Sequence, residues 1–106
     1  MANGRLGAAD LAANTNTTVY EVPADTFAVV TLSMCNRSTT QRSIRVALAS
    51  ADTPTAAEYL EYNTSLVANG TLERTGIVMD AGKKLVVFSN SLDVSVVVYG
   101  LETSTI

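Results

Sequence analysis

Apolar runs rich in β-branched residues recur along the chain, each closed by a cluster of turn formers, which is the signature of successive short strands. Thr17 to Val22 is the first clear run, and Pro23-Ala24-Asp25 ends it, because proline cannot donate to a ladder and aspartate favours turns. Phe27 to Cys35 is the longest. Ala28, Val30, Leu32 and Met34 form one apolar face; the other begins with Phe27 and Val29 and changes to Thr31 and Ser33. A strand apolar on both faces at one end is expected to be central or covered by a partner.

After a polar loop at Asn36 to Gln41, Arg42 to Ser50 alternates, with Ile44, Val46 and Leu48 on one face and Arg45, Ala47 and Ala49 on the other. Asp52-Thr53-Pro54-Thr55 reads as a turn. In Ala56 to Tyr62, the alanines and Glu58 favour a helical turn and Tyr59 to Tyr62 a strand. Asn69-Gly70 matches a tight type I′ hairpin turn, with Thr64 to Val67 and Thr71 to Met79 as its arms. Asp80-Ala81-Gly82 then feeds Lys84 to Ser89, and Asn90 to Asp93 feeds Val94 to Leu101, leaving a short polar tail.

Seven or eight strands at roughly ten-residue spacing, without βαβ crossovers, predict an all-β fold: one antiparallel β-sandwich or jelly-roll-like domain. The expected core is Val30, Leu32, Ile44, Val46, Leu48, Ile77, Val86, Phe88, Val96 and Val98. Residues 1–15 fall outside this rhythm. Gly7 to Ala13 has some helical character but is too short to stand alone. The segment is expected to be an extended N-terminal arm on a sandwich domain of residues 16–106, with Leu6 and Leu11 as candidate residues for docking on a neighbour. A first edge strand or a frayed end are the alternatives.

Composition narrows the chemistry. Among 106 residues, 47% are hydrophobic and only 16% charged, so the chain is not of the disordered class. A net charge of −3, with Lys83-Lys84 the one adjacent basic pair, argues against nucleic-acid binding as the main task. The absence of histidine excludes a Ser-His-Asp triad, a Cys-His dyad and a His-ligated zinc site. Cys35 alone cannot form an internal disulfide, and at the end of an apolar run it reads as a buried small hydrophobe. No stretch approaches the roughly 18 apolar residues of a membrane span, and the start lacks the apolar core of a signal peptide. Neither a cofactor nor a metal site is expected, and no catalytic residue is assigned.

Glu58, Glu61 and Glu73 are the carboxylates nearest a plausible cleft, beside Tyr59 and Tyr62. Two acids flanking a sugar could hydrolyse a glycosidic bond if held about 5–9 Å apart, but this spacing does not specify such a geometry. Tyr59 and Tyr62 are candidate ligand or interface residues, able to stack on sugars or to anchor a protein partner. Tyr20 and Tyr99 are expected in the core or at its rim.

The order Thr17-Thr18-Val19-Tyr20-Glu21-Val22-Pro23-Ala24, Ala28-Val29-Val30-Thr31, Cys35-Asn36-Arg37, Ile44-Arg45-Val46-Ala47-Leu48, Leu72 to Val78, Ala81-Gly82 and Val94 to Gly100 resembles small virion structural proteins of tailed bacteriophages, including phages of marine cyanobacteria. The resemblance spans nearly the whole chain and rests on generic β punctuation. It implies a non-enzymatic subunit, made in the host cytoplasm and incorporated in the virion. Such a subunit would be associated with tail, baseplate or fibre, or would act as a capsid decoration (cement) protein. Other virion proteins are its expected partners, and a symmetric homo-oligomer (trimer, pentamer or hexamer) its expected form. A host-glycan-binding sandwich module is the rival reading.

Overall fold

A computed structural model describes residues 2–106, and its regular secondary structure is almost all strand. They are β1 (Asn3–Asp10), β2 (Thr17–Glu21), β3 (Thr26–Asn36), β4 (Arg42–Ala49), β5 (Tyr59–Leu66), β6 (Thr71–Met79), β7 (Lys84–Ser89) and β8 (Val94–Ser104). A single 3₁₀ turn, Ala56–Glu58, precedes β5. Among the described residues no helix is long and apolar enough to cross a membrane.

The strands form two antiparallel four-stranded sheets, a front sheet ordered β1-β8-β3-β6 and a back sheet ordered β2-β7-β4-β5. The pairs β1·β8, β2·β7, β3·β6 and β4·β5 show that the chain folds back on itself as one long ribbon, with its tip between β4 and β5. Wrapping the ribbon adds the ladders β3·β8 and β4·β7. This is the topology of a jelly roll.

Six of the seven connections therefore cross from one sheet to the other. Left-handed turns are supplied there by Asn14, Asp25, Asn69 and Asp93, the non-glycine types that best tolerate positive φ. Asn69-Gly70 is a turn, closed by the Gly70 N–H on the Val67 carbonyl at 2.9 Å, but it makes no hairpin. Its arms pair with β4 and β3 in different sheets, and only Asn69 of the two has positive φ, whereas a type I′ turn needs both.

The core lies between the sheets. Val30, Leu32, Ile44, Val46, Ile77, Val96 and Val98 are buried there as expected, and Leu48 packs at its margin. In β7 the parity is the opposite of that expected: Leu85 and Val87 point inward. Val86 is buried on the outer face with Ala47 and Ala49, and Phe88 is half-buried there.

The segment expected to be an arm belongs to the domain. Residues Asn3–Asp10 pair with β8 from Leu101 to Ser95, and Leu11 is 2% exposed in the core with its N–H on the Val94 carbonyl at 2.9 Å. Leu6 sits in a bulge and is half-buried against the core. Without β1, β8 would present an open edge, and the small residues Gly7, Ala8 and Ala9 let the strand lie against Val96, Val97 and Val98. Neither leucine is free to reach a neighbour. The polar tail is also shorter than expected, because β8 continues to Ser104 opposite Thr26.

Each side of the sandwich is closed differently. On one side β1 and β2 meet at their bulges, where the Gly7 backbone lies so near the Val19 carbonyl oxygen that any Cβ would collide with it. On the other, Arg74 of β6 reaches Glu61 of β5 at 2.7 Å, beside the partly buried Leu60 and Leu72.

Two buried polar clusters pin the ends. Asn36 is fully buried; its amide donates to the Thr40, Leu66 and Val67 carbonyls, and its Oδ1 accepts from the Ser38 N–H and hydroxyl. Glu102 accepts from the Ala2 N–H at 2.9 Å and the Tyr20 hydroxyl at 2.5 Å. Those two donors hold the Glu102 carboxyl below the usual range. Burial, reinforced by Glu102, pushes the Tyr20 hydroxyl above its own.

Candidate functional site

The outer face of the back sheet carries the two tyrosines singled out from the sequence. Tyr59 and Tyr62 meet edge to face, with ring centroids 4.9 Å apart and planes at 79°. Three residues apart in a regular strand, they would point to opposite faces. Two irregularities in the β4·β5 register, with Asn63 at φ 52°, turn both outward. Tyr59 packs on Ala47, Ala49 and Val86. Tyr62 is 57% exposed.

Arg45 completes the cluster. Its guanidinium carbon lies 4.5 Å from the Tyr62 ring centroid and 4.4 Å from that of Phe88, and its Nε donates to Asn63 Oδ1 at 2.8 Å. Phe88, Arg45, Tyr62 and Tyr59 thus form a continuous stack over the small residues of β4. Ala56, Tyr59 and Tyr62 border a shallow open depression of about 380 Å³. From the sequence Arg45 was placed on the outer face and Phe88 in the core, and neither was singled out as a site residue. The signal was the outward parity of Arg45, and the β4·β7 register sets Phe88 directly opposite it.

The structure does not gather the glutamates around this depression. Glu58 lies in the 3₁₀ turn, where its carboxylate accepts from the Ser50 N–H at 3.1 Å and the Thr55 N–H at 2.8 Å. The Thr55 backbone bond leads in holding its carboxyl below the usual range. Glu61 accepts from Arg74 and from the Thr64 hydroxyl. Glu73 is on the front sheet, where it accepts from the Tyr99 hydroxyl at 3.1 Å. These three acids share no cleft, and each has a local partner. Among the described residues no group of three or more histidine, cysteine or acidic side chains is placed to hold a metal ion.

The outer face of the front sheet has a different character. Phe27 and Val29 of β3, Val97, Tyr99 and Leu101 of β8, and Val78 of β6 all point outward, each more than a third exposed, with Val78 at 64% and Leu101 at 60%. The ladders align Val78, Val29, Leu101 and Asn3 in one row across all four strands, with Thr31, Tyr99 and Arg5 in the next shared row. Farther along β3 the face turns to hydroxyls and small groups: Ser33, Ser95 and Cys35, which is half-buried on this outer face rather than buried in the core as expected. Gly100 permits this flat packing, since a Cβ there would strike the Val29 carbonyl oxygen. Arg5 stands on one edge strand and Glu73 on the other.

No family model, curated protein or solved structure matches the chain. Its function must therefore be argued from its own surfaces.

Proposed function

We propose that the protein is a non-enzymatic structural subunit of a tailed-phage virion, built into the particle through the outer face of its front sheet. The observation that carries this reading is the apolar row Val78-Val29-Leu101, exposed on strands that also form the core. Contiguous apolar patches of this kind on a small domain mark interaction surfaces. The sparse charge of the chain agrees, because interface centres are depleted of charged groups. The resemblance to virion structural proteins supplies the setting: synthesis in the host cytoplasm, other virion proteins as partners, and several copies whose multiplicity offsets weak single contacts. Jelly rolls serve both capsid and lectin domains, so the fold alone does not choose between these roles.

The test is cosedimentation with purified tailed-phage particles, paired with light scattering of the free protein. The proposal expects wild-type protein to pellet with particles or to self-associate, and Leu101→Glu to do neither. A monomer that stays in the supernatant overturns it.

A second reading, recognition of a host-surface glycan, rests on the exposed Tyr62 beside its depression. It is the weaker one, because Arg45 already covers one Tyr62 face and Tyr59 meets the same ring edge to face. Glycan binding that is lost in Tyr62→Ala would favour it over the structural role.

A further inference from the structure

We infer that the front-sheet face pairs with a second copy of this chain across a two-fold axis parallel to the strands, with Arg5 of each copy meeting Glu73 of the other. This deepens the proposed function and rests on its reading of that face as an assembly surface.

Two observations select this partner. The first is symmetry of position. A two-fold axis along the line between β8 and β3 lays β8 of one copy over β3 of the other and exchanges the two edges, β1 and β6. Leu101 of one copy then meets Val29 of the other, since these residues are register partners on either side of the line. Val29 and Leu101 thus cover each other twice, as an isologous interface requires, and Val78 at the β6 margin lies over Asn3 of the other copy.

The second is charge. Arg37, Arg74, Lys83 and Lys84 have ion pairs among the described residues; Arg5, Arg42 and Arg45 have none, and of these three only Arg5 stands on the front sheet. It is the cation of the β1 edge on this face, and Glu73 is the acid of the β6 edge. Glu73 reaches toward the row of Arg5, because it bonds Tyr99, the register partner of Arg5. Edge exchange brings the two charges together twice, once at each margin of the apolar centre. A different occupant would have to supply its own acid opposite Arg5 and its own cation opposite Glu73.

The size is adequate. Four strands about 4.8 Å apart and nine residues long present roughly 500 Å² per copy, or about 1,000 Å² in all, near the lower bound for a specific interface. A pair of this size is expected to be weak and reversible.

Charge exchange tests this directly. Arg5→Glu and Glu73→Arg each place two like-charged contacts in their own homodimer and should weaken it by about tenfold or more. An equimolar mixture of the two variants restores both attractive contacts. Native mass spectrometry separates the mixed pair from either homodimer, because the variants differ in mass. The inference expects the mixed pair to dominate and the single variants to be mainly monomeric. If wild type associates but the mixture gains nothing over the single variants, the two-fold arrangement is overturned while the assembly face stands. If wild type stays monomeric at high micromolar concentration, the inference is overturned, and particle cosedimentation decides the broader reading independently.

Discussion

Replacing Asn36 by alanine should remove the clamp that joins the β3–β4 loop to the β5–β6 turn. The two N–H groups of its amide are shared among the carbonyls of Thr40, Leu66 and Val67, at 2.9, 3.0 and 3.1 Å. Its Oδ1 accepts twice from Ser38, at 2.9 Å each. The side chain is fully buried, so water does not replace these partners without opening the loop. Each net bond is worth about 1 kcal/mol, and the cluster is not additive, so the loss is about 3 kcal/mol. That is a large fraction of the 5–15 kcal/mol expected of a domain this size, and it corresponds to a fall in Tm of roughly 12 °C or more. The chain has no tryptophan, so urea unfolding is best followed by circular dichroism. Asn16→Ala, at an exposed position, is the control and should change stability by less than about 0.5 kcal/mol. If Asn36→Ala is as mild as the control, buried amide satisfaction does not hold this end of the sandwich.

Other expectations follow from the same contacts. The Glu102 carboxyl is held low in the folded state, so its stabilisation is present above the ordinary glutamate range and is lost as pH falls through the lowered folded value. Acid titration of stability should therefore be flatter below about pH 4 in Glu102→Gln than in wild type, and an unchanged acid limb would refute this. Gly7→Ala drives a methyl group into the Val19 carbonyl and should cost about 1–3 kcal/mol by chemical denaturation, whereas a neutral result would mean that β1 and β2 are not in contact. On the back sheet, Tyr59→Ala uncovers Ala47, Ala49 and Val86 and should cost about 2–4 kcal/mol, against about 1 kcal/mol or less for the exposed Tyr62→Ala. Equal losses would show that the stack does not seal the β4 alanines.

Much of the architecture was legible where one face of a run was clearly apolar. In β3 the alternation Ala28, Val30, Leu32, Met34 left a single inward parity, and all four are buried. In β7, Leu85-Val86-Val87-Phe88 is apolar at every position, so period two has nothing to distinguish, and the expected parity was reversed. Turn chemistry located Asn69-Gly70 and Asp80 to Gly82, but local signals do not reveal pairing when the chain changes sheets at nearly every turn. The same ribbon topology explains the first strand: β1 completes a sheet with β8, about 90 residues away, and nothing near Leu6 or Leu11 announces that partner. Tyr59 and Tyr62, expected as ligand or interface residues, meet on one face through a strand irregularity rather than through their spacing. Arg45 and Glu73 acquire meaning only once the register places Phe88 and Tyr99 beside them.

The central claim is that the apolar face around Val29 and Leu101 is covered by a second copy of this chain. Sedimentation equilibrium from low to high micromolar concentration measures this most directly. The account predicts a mass that rises above 11.1 kDa with concentration for wild type and stays at the single-chain value for Leu101→Glu. A wild-type protein that remains a single chain throughout, with the same sedimentation as Leu101→Glu, would contradict it.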